Sequence, residues 1–576
     1  MNIHALLVNR FTEALQEMGV ENAPVPVSRS ARPEFGEYQF NGAMALAKQL
    51  KQKPRDIAEK IVETVKLDDI ASKLEVAGPG FINVHLNDAW LANQCELSLT
   101  DPRLGIAKSP EQNIVVDYSS PNLAKEMHVG HLRTTIIGDA VVKVLEFLGH
   151  NVIRQNHMGD WGTQFGMLLA HLSDKLQEEV AETALSDLED FYREAKVRFD
   201  EEEGFADRAR EYVVKLQGGD AQCLALWEKF IDVSITHSEE VYDKLNVSLT
   251  RKDIMGESAY NDDLANVISD LKTKGLAVED QGAQVVFIPE LADKEGNPAV
   301  YIVQKSGGGY LYATTDLAAM RYRSGKLNAD RTLILTDARQ ALHFKQTEIV
   351  GRKAGFMKEE QTYEHCPFGM MLGSDGKPFK TRTGGTVKLV ELLDEAVERA
   401  GKLIAERDND LSEEELKEVA RKVGIGAVKY ADLSKNRTTD YMFNWDSMLS
   451  FEGNTAPYLQ YAYTRVKSLF RKAGVDMATM PVDIKLVEKQ EHALAVLLMQ
   501  FEEVIGMVSR EATPHVLCTY LYDVASAFMT FYEACPMLKE GIEPQVRDSR
   551  LALSALVAKT LEKGLTLLGI ETLEKM

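Results

Sequence analysis

A short apolar run, NIVVDY at Asn113 to Tyr118, leads into a polar loop, then a helical pattern from Val129, then a second strand-like run, NVIRQ, from Asn151. Strand, helix and strand in that order form a β-α-β unit, which commits two parallel strands to one sheet with the helix laid across its face. The chain is therefore expected to have an α/β core. Further strand signals occur at QVVFIPE, AVYIVQ, YLYAT, RTLILTD and FGMML, interleaved with helical segments. One parallel sheet assembled from both halves is expected. The charge-rich stretch from about 170 to 255 lies between the halves and reads as a solvated helical insertion.

At 576 residues the chain is long enough for three or four domains. Residues 1 to 108 read as a small α/β unit, with helices near 3–18 and 52–65 and a strand, FINVHL, at Phe81 to Leu86. Residues 109 to 386 hold the β-α-β core and its insertion. Strand signals stop after Thr386; residues 387 to 451 read as a helical connector and 452 to 576 as a helical bundle, one helix of which is expected over 485–508.

No apolar run long enough to cross a bilayer is evident, and the N-terminus has helical periodicity rather than a leader pattern, so a cytoplasmic protein without a membrane anchor is expected. Five cysteines without short paired spacing suggest neither disulfides nor a zinc ribbon. The formal charge of −22 argues against indiscriminate nucleic-acid binding but leaves room for a local basic track.

The loop SSPNLAKEMHVGH carries His128 and His131, three apart with a glycine between them. A metal site is poorly supported, because no third ligand stands nearby. Two readings stay open. The imidazoles can cap the start of the helix, or they can donate hydrogen bonds to a phosphate at the carboxyl edge of the sheet, where helix N-termini attract anions.

The extended stretch SSPNLAKEMHVGHLR resembles the bacterial-type arginyl-tRNA synthetases, with HVGH similar to the HIGH signature of class I enzymes. FGEYQFN, GPGFINVHL, NHMGDWGTQFG, GESAYN, YLYATTDLAA, DARQALHFKQ and NTAPYLQYAYTR resemble the same family in the expected order, so the likeness spans nearly the whole chain. It implies a Rossmann-like catalytic domain, a small N-terminal α/β domain that touches the tRNA elbow, and an all-helical anticodon-binding bundle.

The resemblance further implies that His128, Gly130 and His131 bind ATP, and that GSDGKPFKTRTGGTVKL takes the place of the mobile KMSKS loop, with Lys377, Lys380 and Arg382 near the phosphates. The second signature lysine aligns near Thr383, and Lys125 matches the upstream lysine thought to replace it. Asp316 is implied as the guanidinium partner with Tyr312 beside it; Asp117, Asn122 and Gln340 are implied as further arginine contacts. A carboxylate suits a planar five-donor cation, since it accepts bidentately. From the residues alone, Asp316 can equally cap a helix and Asp117 can equally pair with a structural arginine. Phe81 and Asn83 at the N-terminal end, and Tyr458, Tyr461 and Arg465 in the bundle, are implied as tRNA contacts. The expected substrates are L-arginine, arginine tRNA and ATP with Mg²⁺, without zinc, in a monomer. The alternatives are a silent synthetase-derived tRNA-binding protein or a nucleotidyltransferase with an H-x-G-H loop.

Overall fold

The computed structural model describes residues 1–176, 181–380, 386–407 and 410–576. The chain divides into two compact units: Ser109–Leu449 with Leu568–Ile570, and Met1–Lys108 with Ser450–Leu567 and Glu571–Met576.

The first of these is built on a four-stranded parallel sheet in the order Thr362–His365, Arg331–Ile334, Asn113–Asp117, Asn151–Gln155. The β-α-β unit supplies the last two strands, and the sheet does draw on both halves of the chain. The crossover helix Leu132–Phe147 is buried on almost every side, including Arg133, Thr134, Thr135 and Asp139. A helix covered all round must satisfy its polar side chains internally. Thr134 Oγ1 accordingly donates to Leu335 O at 2.8 Å, and Arg133 Nη1 donates to Thr439 O at 2.9 Å.

Four strand expectations are corrected. QVVFIPE and AVYIVQ, as Ala283–Ile288 and Ala299–Gln304, join Ala277–Asp280 in a separate antiparallel sheet rather than extending the parallel one. YLYAT opens a helix, Tyr312–Arg321, whose Thr314 hydroxyl donates to Val303 O while Leu311 N donates to it at 3.4 Å. Those bonds, one local and one to a neighbouring strand, outweigh the strand preference of aromatic and β-branched residues. FGMML yields only Met371–Leu372, paired in parallel with Tyr441–Met442. The described residues of the insertion are largely helical, and Phe191, Phe205 and Phe230 of it share one core with Phe165 just before it.

In the other unit the N-terminal segment forms a four-stranded antiparallel sheet, Val27–Arg29, Tyr38–Phe40, Phe81–Leu86 and Ala71–Ala77 in spatial order. Only Phe81–Leu86 was legible beforehand. The same unit contains the helices Ala456–Ala473, Lys489–Met499, Phe501–Glu511, Pro514–Ala534 and Pro544–Leu567. The helix expected over 485–508 is broken at Gln500. By length and composition Lys489–Glu511 is apolar enough to span a membrane, and more than half of that window is buried inside the unit. Tyr38 donates to Glu503 at 2.5 Å, Arg29 Nη2 reaches the same carboxylate at 2.8 Å, and His492 bridges Glu37 and Asp88 at 2.8 and 2.6 Å. N-terminal sheet and helical bundle thus share one structural unit.

Candidate active site

The strand Asn113–Asp117 ends in two serines with left-handed backbone, Ser119 at φ 67° and Ser120 at φ 48°. Non-glycine residues hold that conformation only where their surroundings over-determine it, and such places cluster at functional sites. Ser119 N donates to Thr134 Oγ1 at 3.1 Å, Ser120 N to Asn156 Oδ1 at 2.9 Å, and Ser120 Oγ to Asp117 Oδ1 at 2.8 Å. The turn opens a cavity of ≈ 590 Å³ at the carboxyl edge of the sheet, lined by Ser119, Ser120, His128, Gly130, His131, Gln340 and Lys380 among others.

Both histidines cap the helix start. His128 Nδ1 accepts from Gly130 N at 3.0 Å, and His131 Nδ1 accepts from His128 N at 3.1 Å. Capping uses only one nitrogen of each ring. An Nδ1 that accepts carries no proton, so each neutral ring must bear its hydrogen on Nε2. Burial, with the neighbouring His128 adding to it, holds His131 at about 3, and burial also lowers His128. The cavity wall therefore presents two neutral, fixed N–H donors, their ring centroids 4.2 Å apart.

Gly130 is required by this packing, since a Cβ there would stand 2.6 Å from His128 Cε1. Gly130→Ala is expected to push the His128 ring aside and slow nucleotide-dependent turnover about ten- to hundredfold, given how steeply rate falls with misplacement on the ångström scale. Thermal unfolding together with steady-state kinetics checks this: the rate should fall while the midpoint moves by only a few degrees.

A second set of groups surrounds Asp316, which lies on the helix Tyr312–Arg321. His343 Nε2 lies 2.6 Å from its Oδ2 and His157 Nε2 lies 3.8 Å from its Oδ1. Asp316 therefore does not cap its helix; it projects from the second turn to a histidine on the helix Ala341–Lys353. Glu257 is close enough for the Asp316 charge to act on it. Burial, reinforced by Asp316 and Asp160, pushes the Glu257 carboxyl up to about 7. With Tyr312, Glu257 lines a second cavity of ≈ 600 Å³. Gly256 permits this approach, because a Cβ there would fall 2.4 Å from Asp160 Oδ2. Tyr312 is 65% exposed, with its ring edge-on to His343 at 5.0 Å.

Several expectations change on this geometry. Asp117 is not open to a ligand: Oδ2 accepts from Arg323 Nη2 at 2.7 Å, Oδ1 accepts from Ser120, and the ion-paired side chains are 8% and 3% exposed. A carboxylate that deep needs a partner, and the π-helical turn Tyr322–Lys326 delivers Arg323 to it. The pair ties the end of the Asp316 helix to the central strand. Asn122 Oδ1 accepts from Ala124 N at 2.9 Å and from Gln164 Nε2 at 3.1 Å, leaving its amide nitrogen for a ligand.

Lys377 lies exposed in the turn Gly373 to Lys377 and is not on the cavity wall, Lys380 is on it, and Arg382 lies outside the described residues. Lys125 holds its ammonium 4.3 Å above the Tyr192 ring, away from that wall.

In the other unit Asn83 is 1% exposed and accepts from Gln39 at 2.8 Å, which corrects the expectation that it is open to RNA. Phe81 stays partly exposed. Tyr458, Tyr461 and Arg465 share one stretch of the helix Ala456–Ala473. The Arg465 guanidinium lies 4.7 Å from the Tyr532 ring and Tyr458 packs 5.6 Å from Tyr522, so Tyr522 and Tyr532 extend the aromatic patch.

Sequence reasoning missed His157, Glu257 and His343 as site residues. All three lie inside quoted motifs, NHMGDWGTQFG, GESAYN and DARQALHFKQ, and only their convergence on Asp316 marks them.

The sequence family described as tRNA synthetases class I (R), catalytic domain, matches residues 95–445; the DALR anticodon binding domain matches 459–576, and the arginyl tRNA synthetase N terminal domain matches 5–86. An arginine–tRNA ligase of Pseudoalteromonas atlantica is 76% identical, and one of Colwellia psychrerythraea 63% identical, each spanning 100% of both chains. Among solved structures, arginyl-tRNA synthetase from Plasmodium falciparum superposes with a TM-score of 0.86 at 29% identity, covering 100% of this chain and 99% of that one. The Thermus thermophilus enzyme gives 0.84 at 25% identity, with 100% of both chains covered.

Proposed function

The chain belongs to the class I arginyl-tRNA synthetases, and from that premise we propose how its residues divide the work. As an arginine–tRNA ligase it activates L-arginine with ATP and passes the arginyl group to the terminal adenosine 2′-hydroxyl of its tRNA. The arginine carboxylate attacks the α-phosphorus, a new O–P bond forms, and pyrophosphate departs with the electrons of the broken P–O bond. Positioning and charge stabilisation carry such a displacement, and no protein nucleophile is needed.

His128 and His131 donate through Nε2 to the α-phosphate, where charge builds in the transition state. Gly130 lets the nucleotide approach, and Lys380, with Lys377 and Arg382 of the same loop, neutralises the pyrophosphate end. Lys125 adds a cation in place of the lysine missing near Thr383. Magnesium enters as the MgATP substrate, and no resident zinc is part of this reading.

Asp316 and Glu257 read the guanidinium, Tyr312 closes over it, and Asn122 and Gln340 meet the amino-acid end. Asp117 acts indirectly, through Arg323. The convergence of two acids, Asp316 and Glu257, with His343 and His157 about Asp316, is the observation that supports this assignment. Phe81 meets the tRNA elbow, and Tyr458, Tyr461 and Arg465 with Tyr522 and Tyr532 form the stacking and phosphate-binding patch of the helical bundle. The enzyme works as a cytoplasmic monomer on arginine tRNA. A silent tRNA-binding descendant or a simple nucleotidyltransferase would have no use for the acidic pocket.

The pocket sets a pH dependence. A guanidinium needs Glu257 ionised, and free Glu257 titrates at about 7. Above that value the carboxylate is present and arginine binds fully. Below it the carboxyl is protonated, and the KM for arginine should rise toward tenfold per pH unit. Measuring the arginine KM between pH 6 and 8 for the wild type and Glu257→Gln tests this. The variant should show a raised and flat KM; a wild-type profile in the variant would remove Glu257 from the pocket.

A further inference from the structure

The helical insertion makes more than bland contacts with the segment that carries the histidines. At the start of the helix Leu188–Glu201, Leu188 N donates to Glu126 Oε1 at 3.0 Å, and the N-cap Asp187 receives Lys388 Nζ at 2.7 Å. Lys388 Nζ also lies 3.5 Å from Glu126 Oε2. The backbone on either side of Lys388 is laced to the histidine loop, with Val129 N donating to Val387 O and Leu389 N to Met127 O, both at 3.0 Å. Glu126 is thus clamped between the insertion and the segment behind the second signature loop.

Lys125 is the residue immediately before that clamp. Its backbone neighbour is fixed, while its side chain is exposed and rests on the face of Tyr192, one turn into the same helix. The ammonium is near enough for its charge to help depress His128, although it does not reach the cavity wall. A four-carbon stem on a fixed backbone can swing through several ångströms without disturbing the fold.

We propose that Tyr192 is a positioning residue: its ring holds the Lys125 ammonium in a parked place, and Lys125 exchanges between that ring and the phosphates of ATP. This rests on the reading of Lys125 as a phosphate partner. The insertion then tunes nucleotide use, because whatever stabilises the parked place competes with ATP for one cation. An exposed ammonium–ring contact is worth about two- to fivefold in such an equilibrium.

Arginine-dependent ATP–pyrophosphate exchange with saturating tRNA tests the proposal, reading the KM for ATP and for arginine separately. Tyr192→Leu should lower the ATP KM about two- to fivefold and leave the arginine KM unchanged. Tyr192→Phe, which keeps the ring and its packing, should match the wild type. In a Lys125→Ala background, Tyr192→Leu should have no further effect on the ATP KM. If Tyr192→Leu is silent, or changes ATP use equally with and without Lys125, the ring only packs and the proposal falls while Lys125 keeps its assigned role. If Lys125→Ala itself shows wild-type kinetics, the underlying reading of Lys125 fails and the parking idea goes with it.

Discussion

Asp316→Asn should lower kcat/KM for arginine by about 10²–10³-fold, almost entirely through KM, with the ATP KM near its original value. The carboxylate is partly buried, and one of its oxygens is within hydrogen-bond distance of His343 at 2.6 Å. Removing its charge leaves a guanidinium without its ion-pair partner. Losing one member of a desolvated charged pair costs about 2–5 kcal/mol, which spans the predicted range. The amide keeps the size and one acceptor oxygen, so the helix Tyr312–Arg321 and its Arg323–Asp117 anchor should be undisturbed. Exchange rates measured over a wide range of arginine concentration decide it. A wild-type arginine KM in a folded protein would take Asp316 out of the pocket.

His131→Ala should act on the other side of the reaction: kcat for exchange falls about 10²–10³-fold, as for loss of one preorganised donor, with a small change in the arginine KM. Its effect is doubled by the architecture, because the same ring accepts from His128 N and so helps fix the backbone that carries His128. His131→Asn separates the two duties. An asparagine oxygen can accept from His128 N while its amide donates, so it should recover part of the rate that alanine loses. Single-turnover adenylate formation is the direct readout. Equal losses for alanine and asparagine would mean that the imidazole's exact reach, rather than the capping bond, carries the rate.

The local architecture around the two histidines was legible beforehand, because its pieces are contiguous: strand, loop and helix start all lie between Asn113 and Phe147. Of the two readings the residues left open, the structure shows the capping, and it leaves the second ring nitrogens outside the cap. The Nδ1 atoms cap and the Nε2 atoms take no part in the cap, a division that depends on ring orientation and not on residue type. The cluster around Asp316 was less legible. Asp316 was singled out by resemblance, whereas Glu257 and His343 come from segments 59 and 27 residues away. Asp117 looked like a ligand until Arg323, delivered by a π-helical turn, occupied it.

Propensity failed where tertiary partners overruled it. YLYAT has the composition of a strand, yet Thr314 finds backbone partners that start a helix there. QVVFIPE and AVYIVQ are strands as expected, but they pair with each other. Hydrophobic pattern states that a run is extended and half-covered; it does not state which neighbour covers it.

The sequence by itself determined the β-α-β core, the histidine loop with its glycine, the helical C-terminal third and, by resemblance, the family. Those are properties of local order: periodicity, spacing and the types of side chain that chemistry requires. Only the tertiary structure decided which acids meet, which are taken by internal cations, which ring nitrogen carries the proton, and that Lys125 rests on a tyrosine of the insertion. Each of these depends on distances of a few ångströms between segments far apart in the chain, and electrostatics and hydrogen bonding are too short-ranged and too directional for residue order alone to specify them.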